Sequence, residues 1–153
     1  MSIGFGHVNL GARDWRRLSR FYQEVLGCVP VPPQRSLGGA VLAAGTGVPG
    51  ASLEGEHLRL PGWDESGPTL EIYSWHESLD RLPAAPNRLG LGHLAFQVPD
   101  VGLALDRVIA SGGRAIGSVV ALPVAGKGTI TFVYAADPED NIIELQAWTA
   151  PAR

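Results

Sequence analysis

Residues 6–14 read GHVNLGARD and residues 92–100 read GHLAFQVPD. In one ungapped frame Gly6 falls on Gly92, His7 on His93, Asp14 on Asp100 and Gly27 on Gly113. A chain that repeats its opening in its second half is expected to build one unit twice, and both copies keep the same order. An apolar run of strand length comes first. An aspartate follows, placed to cap a helix by accepting from an unpaired backbone N–H. A helical segment then runs to a glycine. In the first copy Trp15, Leu18, Phe21, Tyr22, Val25 and Leu26 recur at three- and four-residue intervals, as Val101, Leu105, Val108 and Ile109 do in the second. Gly27 and the Gly112–Gly113 pair are suited to the left-handed conformation that ends a helix.

The halves also close alike, LEIYSW at 70–75 and IELQAW at 143–148. Here Asp64 falls on Asp137, Glu71 on Glu144 and Trp75 on Trp148, at an offset of 73 residues against 86 for the opening motif. The difference leaves 13 extra residues in the first half, placed most simply in the Pro/Gly-rich stretch between Pro30 and Trp63. The pattern predicts a duplicated β-α-β-β-β unit. Strands are expected near 3–10, 37–43, 51–60, 68–75, 91–98, 114–121, 128–136 and 141–148, and helices near 14–26 and 100–111. DPEDN at 137–141 has turn chemistry, and the proline-rich RLPAAPNRLG at 81–90 reads as a linker. The expected organisation is one domain over 1–153, with modules at about 1–80 and 91–150.

Composition narrows the function. Hydrophobic residues make up 45% and charged residues 18% of the 153, enough apolar side chain for a sizeable core. The formal net charge is -3 without a basic cluster, which argues against nucleic acid as partner. No apolar run approaches the ~20 residues of a membrane span, and the arginine-rich N-terminal segment has no apolar secretory core. A cytoplasmic protein without a membrane partner is expected. Cys28 is the only cysteine, so neither an internal disulfide nor a cysteine-built zinc site can form.

The polar residues that recur are His7, Glu71, His93 and Glu144, at the first and last strand of each half. Taken singly, each has an ordinary reading. A histidine at a strand start is commonly a hydrogen-bonded structural residue, and strand alternation can turn a glutamate to solvent. Recurrence of both types at matching places favours chemistry. Neutral imidazole with carboxylate suits a divalent zinc, nickel, cobalt, manganese or iron ion.

Other residues carry weaker signals. Lys127, between glycines in a loop, could meet an anionic substrate, although a solvated lysine explains it as well. Its GKGT lacks the spacing of a phosphate-binding loop. His57 and His76 have no counterpart in the repeat and are expected at the surface, with Tyr73, Trp75, Phe96, Phe132 and Trp148 in the core or a cavity wall.

GHVNLGARDWRRLSRFYQEVLG, GHLAFQVPDV and DPEDNIIELQAW together resemble the vicinal oxygen chelate superfamily, which includes glyoxalase I, methylmalonyl-CoA epimerase, fosfomycin-resistance transferases, extradiol dioxygenases and bleomycin-binding proteins. The resemblance covers nearly the whole chain. It implies an α+β fold of two paired βαβββ modules, forming a cup-like mixed sheet around a metal site. It also implies that His7, Glu71, His93 and Glu144 are the metal ligands. A glutamate at Glu71 resembles the glyoxalase and epimerase branch. The implied function is a metal-dependent lyase or isomerase, acting by proton transfer on a small substrate with vicinal oxygens. Its catalytic base would be Glu144 by preference, with Glu71 as the other choice. An iron(II) extradiol-type dioxygenase using His7, His93 and Glu144 is one alternative. A protein sequestering a metabolite or antibiotic is another. The same resemblance suggests a homodimer.

Overall fold

A computed structural model of the chain describes residues 3–151. The first two and last two residues of the expected domain span lie outside the described residues. The chain divides into two compact units, Met1–Arg81 and Leu82–Arg153.

In the first unit the order is β1 (His7–Gly11), α1 (Trp15–Leu26), β2 (Val29–Gly38), α2 (Ala40–Thr46), β3 (Ser52–Arg59) and β4 (Thr69–Trp75). The sheet runs β1-β4-β3-β2, with β1 parallel to β4 and the other pairs antiparallel. The α1 helix begins where the repeat places it. The Asp14 carboxylate accepts from the Arg17 N–H at 3.0 Å, and Gly27 ends the helix in the left-handed region at φ 72°. Its apolar stripe of Trp15, Leu18, Phe21, Tyr22 and Leu26 is buried and packs on β3 and β4. Alternation along β4 puts Leu70 and Ile72 fully inside under that helix and turns Glu71 to the opposite face. The same alternation separates neighbours on β3. Glu56 is buried on the helix side, where the Ser19 hydroxyl of α1 donates to it, while His57 faces the other way beside Glu71.

The second unit repeats the plan with β5 (Leu94–Gln97), α3 (Val101–Ala110), β6 (Arg114–Ala115), β7 (Val120–Val124), β8 (Gly128–Ala136) and β9 (Ile142–Thr149). Its sheet runs β5-β9-β8-β6, with β7 also paired to β8. Asp100 caps α3 by accepting from the Leu103 N–H at 2.9 Å. Ser111 is the C-cap, and Gly112 follows at φ 90°. Ile143 and Leu145 are fully buried, and Glu144 between them takes the other face. Among the described residues no helix is long and apolar enough to cross a membrane.

Two expected strands need correction. At 37–43 the chain leaves β2 at Gly38, turns at Gly39 (φ 93°), and forms the α2 helix instead of a strand. The segment AVLAAGT holds three alanines and a leucine, which favour helix once no neighbouring strand pairs with it. β2 itself, rich in proline, is viable because it lies at a sheet edge, where a missing N–H is tolerated. The strand expected at 114–121 breaks into β6 and β7, which pair with different stretches of β8.

Two predictions arise from this packing. A Cβ at Gly55 would run into the Ile72 carbonyl and the Tyr73 ring, so β3 approaches β4 too closely there for any side chain. Gly55→Ala should therefore cost about 1–3 kcal/mol, as overpacking generally does. A chemical melt is the check, and an unchanged midpoint would contradict the close approach. Cys28 is only 3% exposed, and burial pushes its thiol up to about 12. The folded protein should resist alkylation near neutral pH and react at an ordinary rate once unfolded.

Candidate functional site

In each unit the repeated histidine and glutamate meet on the sheet face turned away from its helix. In the first, His7 opens β1 and Glu71 stands near the middle of β4. The parallel register sets Thr69 beside His7 and Asn9 beside Glu71, so His7 reaches Glu71 diagonally. His7 Nε2 lies 3.3 Å from Glu71 Oε2. In the second unit His93, one residue before β5, places Nε2 2.8 Å from Glu144 Oε2. Both glutamate side chains are 13% exposed, whereas the His7 and His93 rings are 50% and 32% exposed. The carboxylates are thus recessed behind more open imidazoles.

The surroundings of the two glutamates differ. Glu71 is flanked in register by Asn9 on one side and His57 on the other. His57 Nε2 lies 3.0 Å from Glu71 Oε1 and 2.8 Å from the Tyr73 hydroxyl, with its Nδ1 3.4 Å from the Thr69 hydroxyl. The Asn9 amide donates to Glu71 Oε2 at 3.4 Å. Burial lowers the His57 pKa; the Glu71 carboxylate opposes this, and the charges of Arg35 and His7 add to it. Burial likewise raises the Tyr73 pKa, with Glu71 adding to the rise and Arg35 opposing it.

Around Glu144 the corresponding flanks are Ala95 and Tyr134. Tyr134 packs its ring against His93, with centroids 4.8 Å apart. Among the described residues the His93 contact is the only polar one recorded for the Glu144 carboxylate.

His57 therefore corrects the surface expectation. It is partly buried at the centre of the first unit's polar face, bracketed by Glu71, Tyr73 and Thr69. Tyr73 and Phe96 are buried as expected, Trp148 is 42% exposed, and His76 is exposed. Lys127 is exposed in the turn between β7 and β8, where its N–H donates to the Val124 carbonyl.

No group of three or more His, Cys, Asp or Glu side chains among the described residues is disposed to hold a metal by itself. An open cleft of about 280 Å³ in the first unit lies elsewhere, lined by Arg13, Trp15, Arg16, Ser52, Trp75 and His76. Its arginines are already matched, Arg13 with Asp80 and Arg16 with Glu54. It contains neither member of the histidine–glutamate pair.

A family model described as a glyoxalase-like domain matches residues 7–145. The fold is similar to that of a glyoxalase family protein from Bacillus cereus, at 18% identity and a TM-score of 0.83, covering 98% of this chain and 97% of that one. It is also similar to a glyoxylase/bleomycin resistance protein/dioxygenase domain from Frankia sp. EAN1pec, at 22% identity and a TM-score of 0.62, covering 97% and 100%. A glyoxalase/bleomycin resistance protein/dioxygenase family enzyme from Burkholderia phytofirmans PsJN follows at 19% identity and a TM-score of 0.56, covering 94% and 98%. At these identities the likeness speaks for the fold alone. No curated protein sequence matches significantly.

Proposed function

This chain belongs to the glyoxalase-like domain family, and from that membership we propose that it is a metal-dependent lyase or isomerase moving a proton on a small substrate with vicinal oxygens. The observation that carries the reading is the repeated pair: in each unit an imidazole nitrogen and a carboxylate oxygen point at one another, 3.3 and 2.8 Å apart. Two donors each about 2.1 Å from one ion stand about 3.0 Å apart at right angles and about 3.4 Å apart in a tetrahedron. The 3.3 Å pair falls within that range and the 2.8 Å pair just below it, and nitrogen with oxygen donors suits zinc, nickel, cobalt, manganese or iron.

On this reading His7, Glu71, His93 and Glu144 would hold the ion. A bound divalent ion supplies a Lewis acid for the substrate's oxygens and for negative charge that develops there. The protein's own groups divide the rest of the work. His7 and His93 would bind the ion through Nε2. Glu71, restrained on both flanks, serves as a fixed ligand. Glu144, held by His93 at 2.8 Å, would take the proton from the carbon beside one of the substrate's vicinal oxygens and return it.

The test is isotope exchange. Purified protein supplied with a divalent metal and a set of α-hydroxy and α-keto carbonyl compounds in deuterated water should place deuterium at the adjacent carbon. A chelator should stop this. Oxygen consumption with catechols would replace the reading by ring-cleaving dioxygenation. Tight binding of an aromatic metabolite or antibiotic by metal-free protein, without turnover, would replace it by sequestration.

A further inference from the structure

We infer that His57 is a positioning residue that fixes Glu71 as a static ligand, and that Ala95 and Tyr134, at the matching flanks in the second unit, leave Glu144 able to carry a proton. The inference rests on the metal-binding reading above and deepens it.

The geometry divides the Glu71 carboxylate between two tasks. Oε1 faces His57 Nε2 at 3.0 Å, and Oε2 faces His7 Nε2 at 3.3 Å. A carboxylate only accepts hydrogen bonds, so His57 must carry its proton on Nε2 to engage Oε1. Its Nδ1 is then an acceptor, suitably placed for the Thr69 hydroxyl at 3.4 Å. In that tautomer the Tyr73 oxygen, 2.8 Å from the same Nε2, also accepts, whereas in the Nδ1–H tautomer the Tyr73 hydroxyl would donate to Nε2. His57 is thereby held by β4 at both nitrogens, since Thr69, Glu71 and Tyr73 alternate along one face of that strand. With Oε1 occupied, Oε2 alone is left for an ion shared with His7. A group that orients a ligand in this way commonly changes metal affinity by roughly 10–100-fold.

The second unit has the same frame without the clamp. Asn9 is replaced by Ala95, which has no polar side chain, and His57 by Tyr134, whose ring lies against His93. The duplicated units have thus diverged at the two positions that flank the glutamate. One glutamate is braced on both sides, and its counterpart is not.

The test measures cobalt(II) affinity by competition with a chromophoric chelator, in the full chain and without any substrate. His57→Phe should weaken binding by roughly 10–100-fold, and His57→Gln, which keeps an N–H donor, should recover most of the loss. In a Glu71→Ala background the same His57→Phe change should have little further effect, because its target is gone. Wild-type affinity in His57→Phe, or fully additive losses in the double variant, would overturn the inference while leaving the metal reading intact. Failure of the wild-type protein itself to bind cobalt(II) would instead overturn the metal reading. Nitrogen-15 NMR of the imidazoles in unmutated protein gives a check independent of variant folding. His57 should be the Nε2–H tautomer, and an Nδ1–H tautomer would contradict the clamp.

Discussion

Glu144→Gln should reduce turnover by roughly 10²–10⁴-fold, the usual contribution of a general base, while the protein stays folded and retains much of its metal. The amide oxygen can still coordinate weakly, but it has no affinity for a proton at working pH. Glu144 suits the role because it is recessed, lies 2.8 Å from His93 and is flanked by side chains that do not brace it. Glu71→Gln should be the milder change in rate and the larger one in metal affinity. Exchange at the substrate carbon in deuterated water separates these effects. Unimpaired exchange in Glu144→Gln with loss in Glu71→Gln would reverse the assignment, and loss in neither would remove both glutamates as bases.

His7→Ala and His93→Ala should each weaken metal binding by more than the roughly 10–100-fold expected for a residue that only orients a ligand. Each change removes a donor atom, and alanine offers no substitute for a neutral imidazole. The loss should be seen from either side, although His7 is 50% exposed and His93 only 32%. A surface histidine with no ligand role would leave the affinity unchanged. Equilibrium dialysis against a competing chelator distinguishes the two. A response confined to one histidine would show that the other is not a ligand.

The elements visible in the sequence were those carrying a repeated local signal. Asp14 and Asp100 cap their helices because an aspartate before an apolar three-and-four pattern has one favourable use. Leu70, Ile72, Ile143 and Leu145 bracket the glutamates and enter the core, which turns Glu71 and Glu144 to the opposite face.

His57 was hidden by the same repeat that exposed its neighbours. The offset between the halves is 86 at the opening histidines, 77 where His57 corresponds to Tyr134, and 73 at the glutamates. The frame that aligns Glu71 with Glu144 therefore lays Tyr134 on Pro61, inside the longer β3–β4 loop. Only cross-strand register restores the match. The α2 helix was hidden for a different reason. Short apolar segments such as AVLAAGT fit strand and helix alike, and the choice depends on whether a partner strand is within reach.

Titration of the whole purified chain with cobalt(II), followed by its visible absorption and by competition, tests metal binding by His7, Glu71, His93 and Glu144 most directly. The expected result is one ion bound per chain, with binding lost in the combined His7→Ala, His93→Ala variant. Absence of binding by the unmutated chain, or undiminished binding by the double variant, would contradict it.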